Sequence, residues 1–139
     1  MPLLPDFQFS QSSLQDYADC PRRFELRYIL RQNWPALQSE PVLEMENWME
    51  QGRQFHQMVH QYLLGIPEEL LRPLITQPEG LQWWGQFIKL NPLAGLPDQV
   101  RLPEYRLTAP SHGFRMVAQY DLVCVNPGEK AVIVDWKTS

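Results

Sequence analysis

Two aspartates and a lysine near the end of the chain carry the clearest chemical signal. If the last two strands form a hairpin closed by a loop from Asn126 to Lys130, then Val125 stands opposite Ala131, Val123 opposite Ile133, and Asp121 opposite Asp135. Directly opposed residues have Cβ atoms about 4.5 to 5.5 Å apart, and like charges placed there destabilise a sheet unless something neutralises them. Side chains alternate along a strand, so Asp135 and Lys137 share a face while Val134 and Trp136 point to the other. Two carboxylates and an ammonium would therefore converge. Carboxylate oxygens suit Mg²⁺, which keeps several waters and is commonly shared with a substrate phosphate. Such a cation lowers the pKa of a bound water and neutralises charge on the phosphate, while a nearby lysine can position that water or take its proton. Phosphodiester hydrolysis fits these groups.

The same face carries Val117, Val123, Ala131 and Ile133, which places the charged trio at the end of an apolar stripe and predicts a pocket rim. A DxK triplet after an apolar strand also describes an exposed ion pair, worth little to stability. A one-residue slip in the hairpin would send Asp121 to the opposite face.

The elements that must position this trio fall into two groups. Ser12 and Ser13, just before Leu14, predict an N-cap, with Gln15 three residues after Ser12. A short helix follows and is interrupted at Cys20-Pro21, where Pro21 opens a second helix carrying Phe24, Tyr28 and Ile29. The stretch from Asn33-Trp34-Pro35 to Pro41 reads as a loop. From Leu43 to Leu64, Trp48, Phe55, Val59 and Tyr62 recur at helical spacing, and Gly65 and Pro67 supply stop signals. Gly52 inside this helix costs roughly 1 kcal/mol relative to Ala, so either the penalty is tolerated or something approaches the backbone closely there. A further helix spans Leu81 to Leu90 and ends at Asn91-Pro92. Beyond Asp98 the period changes, and Val100 to Thr108, Phe114 to Val125 and Ala131 to Lys137 read as strands joined by turns at Pro110–Gly113 and Asn126–Gly128. Helices followed by a meander of strands predict an α+β fold, with N-terminal helices packed on a central mixed β-sheet.

The 139 residues, 44% hydrophobic and 20% charged, suffice for one globular domain with a real core. No apolar run approaches the roughly 20 residues of a membrane span, and the N-terminus lacks the pattern of a secretory signal. Two cysteines in unlike surroundings argue against a disulfide framework and for a reducing compartment, with the cytoplasm as the expected location. The net charge of -4 counts against bulk affinity for nucleic acid. Positive charge is nonetheless clustered at Arg22, Arg23, Arg27 and Arg31, as a local basic stripe or as a solvated helix face.

Several separated motifs occur in a fixed order. Ser10-x-Ser12-x-Leu14-x-x-Tyr17-x-x-Cys20-Pro21-x-x-Phe24 is followed by Gly52-Arg53-Gln54-Phe55-His56, then by Tyr120-Asp121-Leu122-Val123, then by Val132-Ile133-Val134-Asp135-Trp136-Lys137-Thr138-Ser139. This series spans almost the whole chain and resembles the RecB-like exonucleases of the PD-(D/E)XK nuclease superfamily. Ala118 departs from the pattern, standing where the family's GxxD segment has glycine. The resemblance implies a restriction-endonuclease-like fold and a Mg²⁺- or Mn²⁺-dependent deoxyribonuclease acting in recombination, repair or defence. It implies that His56, Asp121 and Asp135 hold the metal with the Trp136 main-chain carbonyl, and that Lys137 assists the attacking water.

Under the same resemblance DNA is the partner, with a helicase or another repair or defence protein as a further one; the clustered charge offers Arg22, Arg23 and Arg27 as residues to contact it, and the hydropathy pattern predicts no membrane. His60, one turn beyond His56, reads better as a polar residue on a helix edge. Glu104 resembles an acidic residue of the family's preceding strand, and a surface glutamate beside Arg106 explains it equally well. Some relatives hold an iron-sulfur cluster through four cysteines. Here only Cys20 qualifies, so a cluster requires further cysteines beyond Ser139. The family's pattern continues past the DxK motif with a helix, which makes residues 1–139 an expected single nuclease domain truncated after that motif. A catalytically inactive DNA-binding or scaffold module of the same fold is the alternative. If the trio were only an exposed ion-pair cluster, His56 would lie nowhere near Asp121.

Overall fold

A computed structural model describes residues 3–32 and 40–138. The chain divides into two compact units, one formed by Met1–Leu37 and Arg106–Gln119, the other by Gln38–Tyr105 and Tyr120–Ser139.

In the first unit a two-residue strand, β1 (Gln8–Phe9), precedes helix α1 (Gln11–Asp19). Ser10 is the N-cap, not Ser12. The Ser10 Oγ accepts the Ser13 N–H at 3.2 Å and Ser13 Oγ accepts the Ser10 N–H at 2.9 Å, a reciprocal capping box built from two serines. Pro21 opens α2 (Pro21–Phe24) as expected, since its missing N–H has no partner to lose in a first turn. The chain then widens into a π-helical turn, Glu25–Ile29, closed by a Leu30 N–H to Glu25 carbonyl bond of 2.9 Å. Phe24 is buried among aromatic rings: Tyr28 at 5.1 Å, Tyr17 at 5.5 Å and Phe9 at 6.1 Å. Asp16, also buried, is ringed by Arg23 at 2.9 Å, Arg27 at 2.6 Å and Tyr28 at 3.0 Å. Burying a carboxylate is tolerated only with such pairing.

In the second unit α3 (Glu40–Leu63) is the longest helix described. Residues 33–39 of the expected loop lie outside the described residues, while Pro41 sits in the first turn of α3, where proline is tolerated. Two elements absent from the sequence reading follow: α4 (Glu68–Leu71) and a 3₁₀ turn, Arg72–Leu74. Helix α5 (Pro78–Leu90) starts three residues earlier than expected, at a proline, and stops at Asn91, whose φ of 44° is left-handed. Phe55, Met58 and Val59 of α3 pack with Leu71, Trp84 and Phe87 into one core, and burial of each large apolar side chain contributes roughly 1.5 to 3 kcal/mol. The Trp84 indole N–H finds Glu68 at 3.2 Å, so the deepest ring leaves no donor unpaired.

Strands β2 (Val100–Ser111), β3 (Phe114–Asn126) and β4 (Lys130–Val134) complete a four-stranded mixed sheet among the described residues. β1 pairs with β3 in parallel at Gln8↔Arg115 and Phe9↔Met116, and β4 pairs with β3 antiparallel. The hairpin has the register expected from the sequence, with Val125↔Ala131 and Val123↔Ile133 in place. Its turn is closed by the Glu129 N–H to Asn126 carbonyl bond of 3.0 Å, with Gly128 at φ 79°. The Asn126 side chain accepts the N–H groups of Asp98 and Gln99, both at 3.2 Å, and so ties the turn to the entry of β2. The architecture is α+β. No described helix is long and apolar enough to cross a membrane.

The ring of donors around Asp16 gives a pH signature. The hydrogen bond from Arg27 holds the Asp16 carboxyl below its ordinary 3.8, against the opposing effect of burial and with help from Tyr28 and Arg23. A carboxylate whose folded pKa lies below its unfolded value stabilises the fold above the unfolded value, and that contribution disappears as pH falls through the folded one. Asp16→Asn is therefore expected to lower the urea midpoint at neutral pH, with the gap to wild type closing below about pH 4. Urea unfolding followed by circular dichroism across that range is the check.

Candidate active site

The β3–β4 ladder runs to Leu122↔Val134, which puts Asp121 and Asp135 on the next rung. There the ladder changes hands: Asp121 Oδ2, a side-chain acceptor, takes the main-chain N–H of Trp136 at 2.7 Å. This ends β4 at Val134, short of the boundary at Lys137 that the sequence suggested. The other oxygen, Asp121 Oδ1, lies 3.3 Å from His56 Nδ1. The Asp121 and Asp135 carboxyls are close enough to perturb each other, and Lys137 Nζ pairs with Asp135.

Helix α3 delivers the histidine. Phe55, Met58 and Val59 turn one side of the helix into the core, which leaves His56 half-buried at its edge. Gly52 lies one turn before His56, and a Cβ at Gly52 would meet Thr138 Oγ1 at 3.0 Å. The close approach of the chain just after the DxK motif is therefore what the glycine accommodates. His60 Nδ1 is buried with no hydrogen-bond partner among the described residues.

The electrostatics of the carboxylate pair are unequal. Burial pushes the Asp121 carboxyl up, and Asp135 adds to that, while the Trp136 N–H and His56 pull the other way. Asp135 moves down, held first by the Lys137 ammonium, and Lys137 is correspondingly raised by Asp135. The two neighbouring carboxyls are thus pushed in opposite directions, the half-buried Asp121 up and the lysine-paired Asp135 down. A cation placed between them would offset the repulsion of two like charges.

The donor set is thus right for a hard metal, two carboxylates and an imidazole. Among the described residues, however, no three His, Cys, Asp or Glu side chains are placed closely enough together to hold a metal ion.

The expected apolar stripe is only half present. Val123 is buried, yet Ile133 is 58% exposed and Ala131 is exposed, so the β4 end of that face is open to solvent. The concavity beside the trio has other walls. Asp135, Trp136 and Lys137 border a cleft of about 230 Å³ whose remaining lining includes Phe55, Trp83 and Phe87 from α3 and α5. Sequence reasoning did not single out these helix aromatics as site residues. The signal was the Trp83-Trp84 pair followed by Phe87, a spacing that places one tryptophan inward and its neighbour on the flank.

The basic candidates and Cys20 lie in the first unit. Arg22 pairs with Glu25, Arg23 reaches Asp16 at 2.9 Å and Asp19 at 2.8 Å, and Arg27 reaches Asp16 at 2.6 Å. That stripe is internally neutralised. Cys20 is exposed, Cys124 is buried, and both are free thiols. Glu104, half-buried in β2 of the second unit, has a left-handed φ of 51°, a conformation that costs of order 1 to 3 kcal/mol for a side-chain-bearing residue.

A mixed sheet whose hairpin end carries two carboxylates and a lysine, faced by a histidine from a neighbouring helix, has the architecture of a restriction-endonuclease-like fold. The chain belongs to the PD-(D/E)XK nuclease superfamily, whose family model matches residues 8–139, and hydrolytic nuclease activity is what that membership indicates. Comparison with curated proteins and with solved structures gives no match.

The notch at Gly52 can be tested. Gly52→Ala is expected to raise intrinsic helix propensity by about 1 kcal/mol, while forcing Thr138 and the adjoining DxK segment to shift. The thermal midpoint should stay within a few degrees of wild type and nuclease turnover should fall roughly ten-fold, since small misplacements of reacting groups are penalised steeply. Calorimetric melting and an assay on labelled DNA measure the two effects separately.

Proposed function

We propose that this chain is a Mg²⁺- or Mn²⁺-dependent deoxyribonuclease of the RecB-like type, cutting linear DNA exonucleolytically. The observation that carries the reading is the 3.3 Å approach of His56 to Asp121, residues 65 positions apart, next to Asp135 and Lys137. An exposed ion-pair cluster would not require a helix-borne imidazole there. His56, Asp121 and Asp135 would hold the cation, with the Trp136 main-chain carbonyl. When bound, the cation lowers the pKa of a coordinated water and neutralises charge on the phosphate.

The chain's own groups set the geometry. The Trp136 N–H fixes Asp121 in one rotamer, and α3 sets the distance of His56 from it. The Lys137 pKa is raised by Asp135, so Lys137 enters as an ammonium. Its part is to donate to the attacking water or to a phosphate oxygen, not to collect a proton. A helicase that supplies unwound strands is the kind of partner such an exonuclease would use in recombination, repair or defence.

Calorimetric titration of Mn²⁺ into the chain should show saturable binding that Asp121→Ala and Asp135→Ala each abolish and Lys137→Ala preserves. Cleavage of labelled linear DNA should fall at least about 100-fold in Lys137→Ala, the scale of losing one positioned donor to developing charge. Unaltered Mn²⁺ affinity in both aspartate variants would sink the ligand assignment. Metal binding by the wild type without cleavage would favour the non-catalytic DNA-binding or scaffold module.

A further inference from the structure

We propose that the aromatic cleft beside Asp135 and Lys137 is a subsite for one unpaired nucleobase, with Trp83 as its stacking platform and Gln86 reading the base edge. This rests on the nuclease reading and deepens it by assigning the substrate's form next to the cut.

Four observations converge. The cleft, about 230 Å³, shares Asp135 and Lys137 with the proposed site, so whatever occupies it adjoins the reacting phosphate. That volume lies below the roughly 300 to 1,000 Å³ of a typical small-molecule pocket and is on the scale of a single planar base. The rings that line it meet edge to face: Phe55 and Trp83 at 79°, Phe55 and Phe87 at 85°, Phe87 and Trp136 at 87°. Trp83 also meets Trp48 at a tilt of 42°, so none of its contacts among the described residues is stacked face to face. Half-buried Trp83 lines the cleft with an indole ring that no aromatic neighbour among the described residues stacks upon in parallel, and exposed Gln86 brings an amide that can both donate and accept.

Charge points the same way. Arg22, Arg23 and Arg27 of the first unit are bound to carboxylates, Arg53 is bound to Glu50 at 2.6 Å, and the whole chain carries a net charge of -4. Attraction to phosphates alone is weak here, and stacking is the uncharged interaction by which proteins hold single strands without regard to sequence. A base within a duplex cannot enter such a cleft unless it leaves its stack.

The test uses short single-stranded oligonucleotides carrying 2-aminopurine at successive positions, titrated with the full chain in Ca²⁺ buffer, beside Trp83→Leu, Trp83→Phe and Gln86→Ala. Circular dichroism establishes which variants are folded, and exposed Gln86 can be changed without touching the core. Binding should quench the probe at one position only. Trp83→Leu should remove that quench and weaken affinity roughly ten-fold, with Trp83→Phe retaining most of both. An abasic site at the quenched position should weaken the wild type by the same factor and leave Trp83→Leu unaffected.

Unchanged quench and affinity in a folded Trp83→Leu overturn the subsite, as does equal competition by a blunt duplex. Cleavage by the same wild-type preparation, with no dependence on the base, would remove the subsite and leave the nuclease reading intact. Base-dependent quenching with neither cleavage nor Mn²⁺ binding would support the subsite and remove the nuclease reading. No oligonucleotide binding at all overturns the subsite.

Discussion

Asp121 uses both oxygens of one carboxylate to join two layers of the second unit. One accepts the Trp136 N–H at 2.7 Å and the other faces His56 at 3.3 Å. The first contact takes the place of the next β4 ladder bond at Trp136, which Asp135 and Lys137 flank; the second brings the sheet to α3. Without the first, β4 would continue pairing by main-chain bonds, and Asp135 would be an ordinary strand residue on an open face. The site is therefore made from the failure of a regular element at one rung, with a carboxylate standing where a carbonyl would be.

How far such a site can be read from sequence depends on the range of the interactions that build it. The hairpin register was legible because alternation of apolar residues and the Asn126-Pro127-Gly128 turn specify it locally, and it holds at Val125↔Ala131 and Val123↔Ile133. The long α3 and the proline at the head of α2 were legible for similar reasons. The end of β4 was not, since a side chain 15 positions away decides it. Short elements were missed because β1 has 2 residues and α4 has 4, too few for any period to show. Adjacent serines offered competing N-caps, and only the reciprocal bond between Ser10 and Ser13 selects Ser10.

The same limit applies to the aromatic residues. Trp83 and Trp84 are neighbours of one type, yet Trp84 is 1% exposed in the core while Trp83 lines the cleft. A rotation of about 100° per residue separates these fates, and its absolute phase is fixed by packing on α3, not by α5 alone. The basic segment shows the converse. Clustered arginines read as a surface for phosphates, but the carboxylates that bind them, Asp16, Asp19 and Glu25, lie on the same local helices. Counting charges along a sequence does not reveal which of them are already matched.

The glycine notch of α3 has a mechanical consequence. Gly52 and His56 are one helical turn apart, about 6 Å along the axis, and each is fitted to a different strand of the hairpin: the segment after β4 at Thr138 for the notch, and β3 at Asp121 for the ring. Two fixed points on one rigid rod leave it little freedom to slide or roll. Any slippage of α3 that separates the imidazole from the carboxylate must also drive helix backbone against the threonine. The helix thus works as a gauge whose two marks must align together, so the candidate site assembles in a single registration or does not assemble.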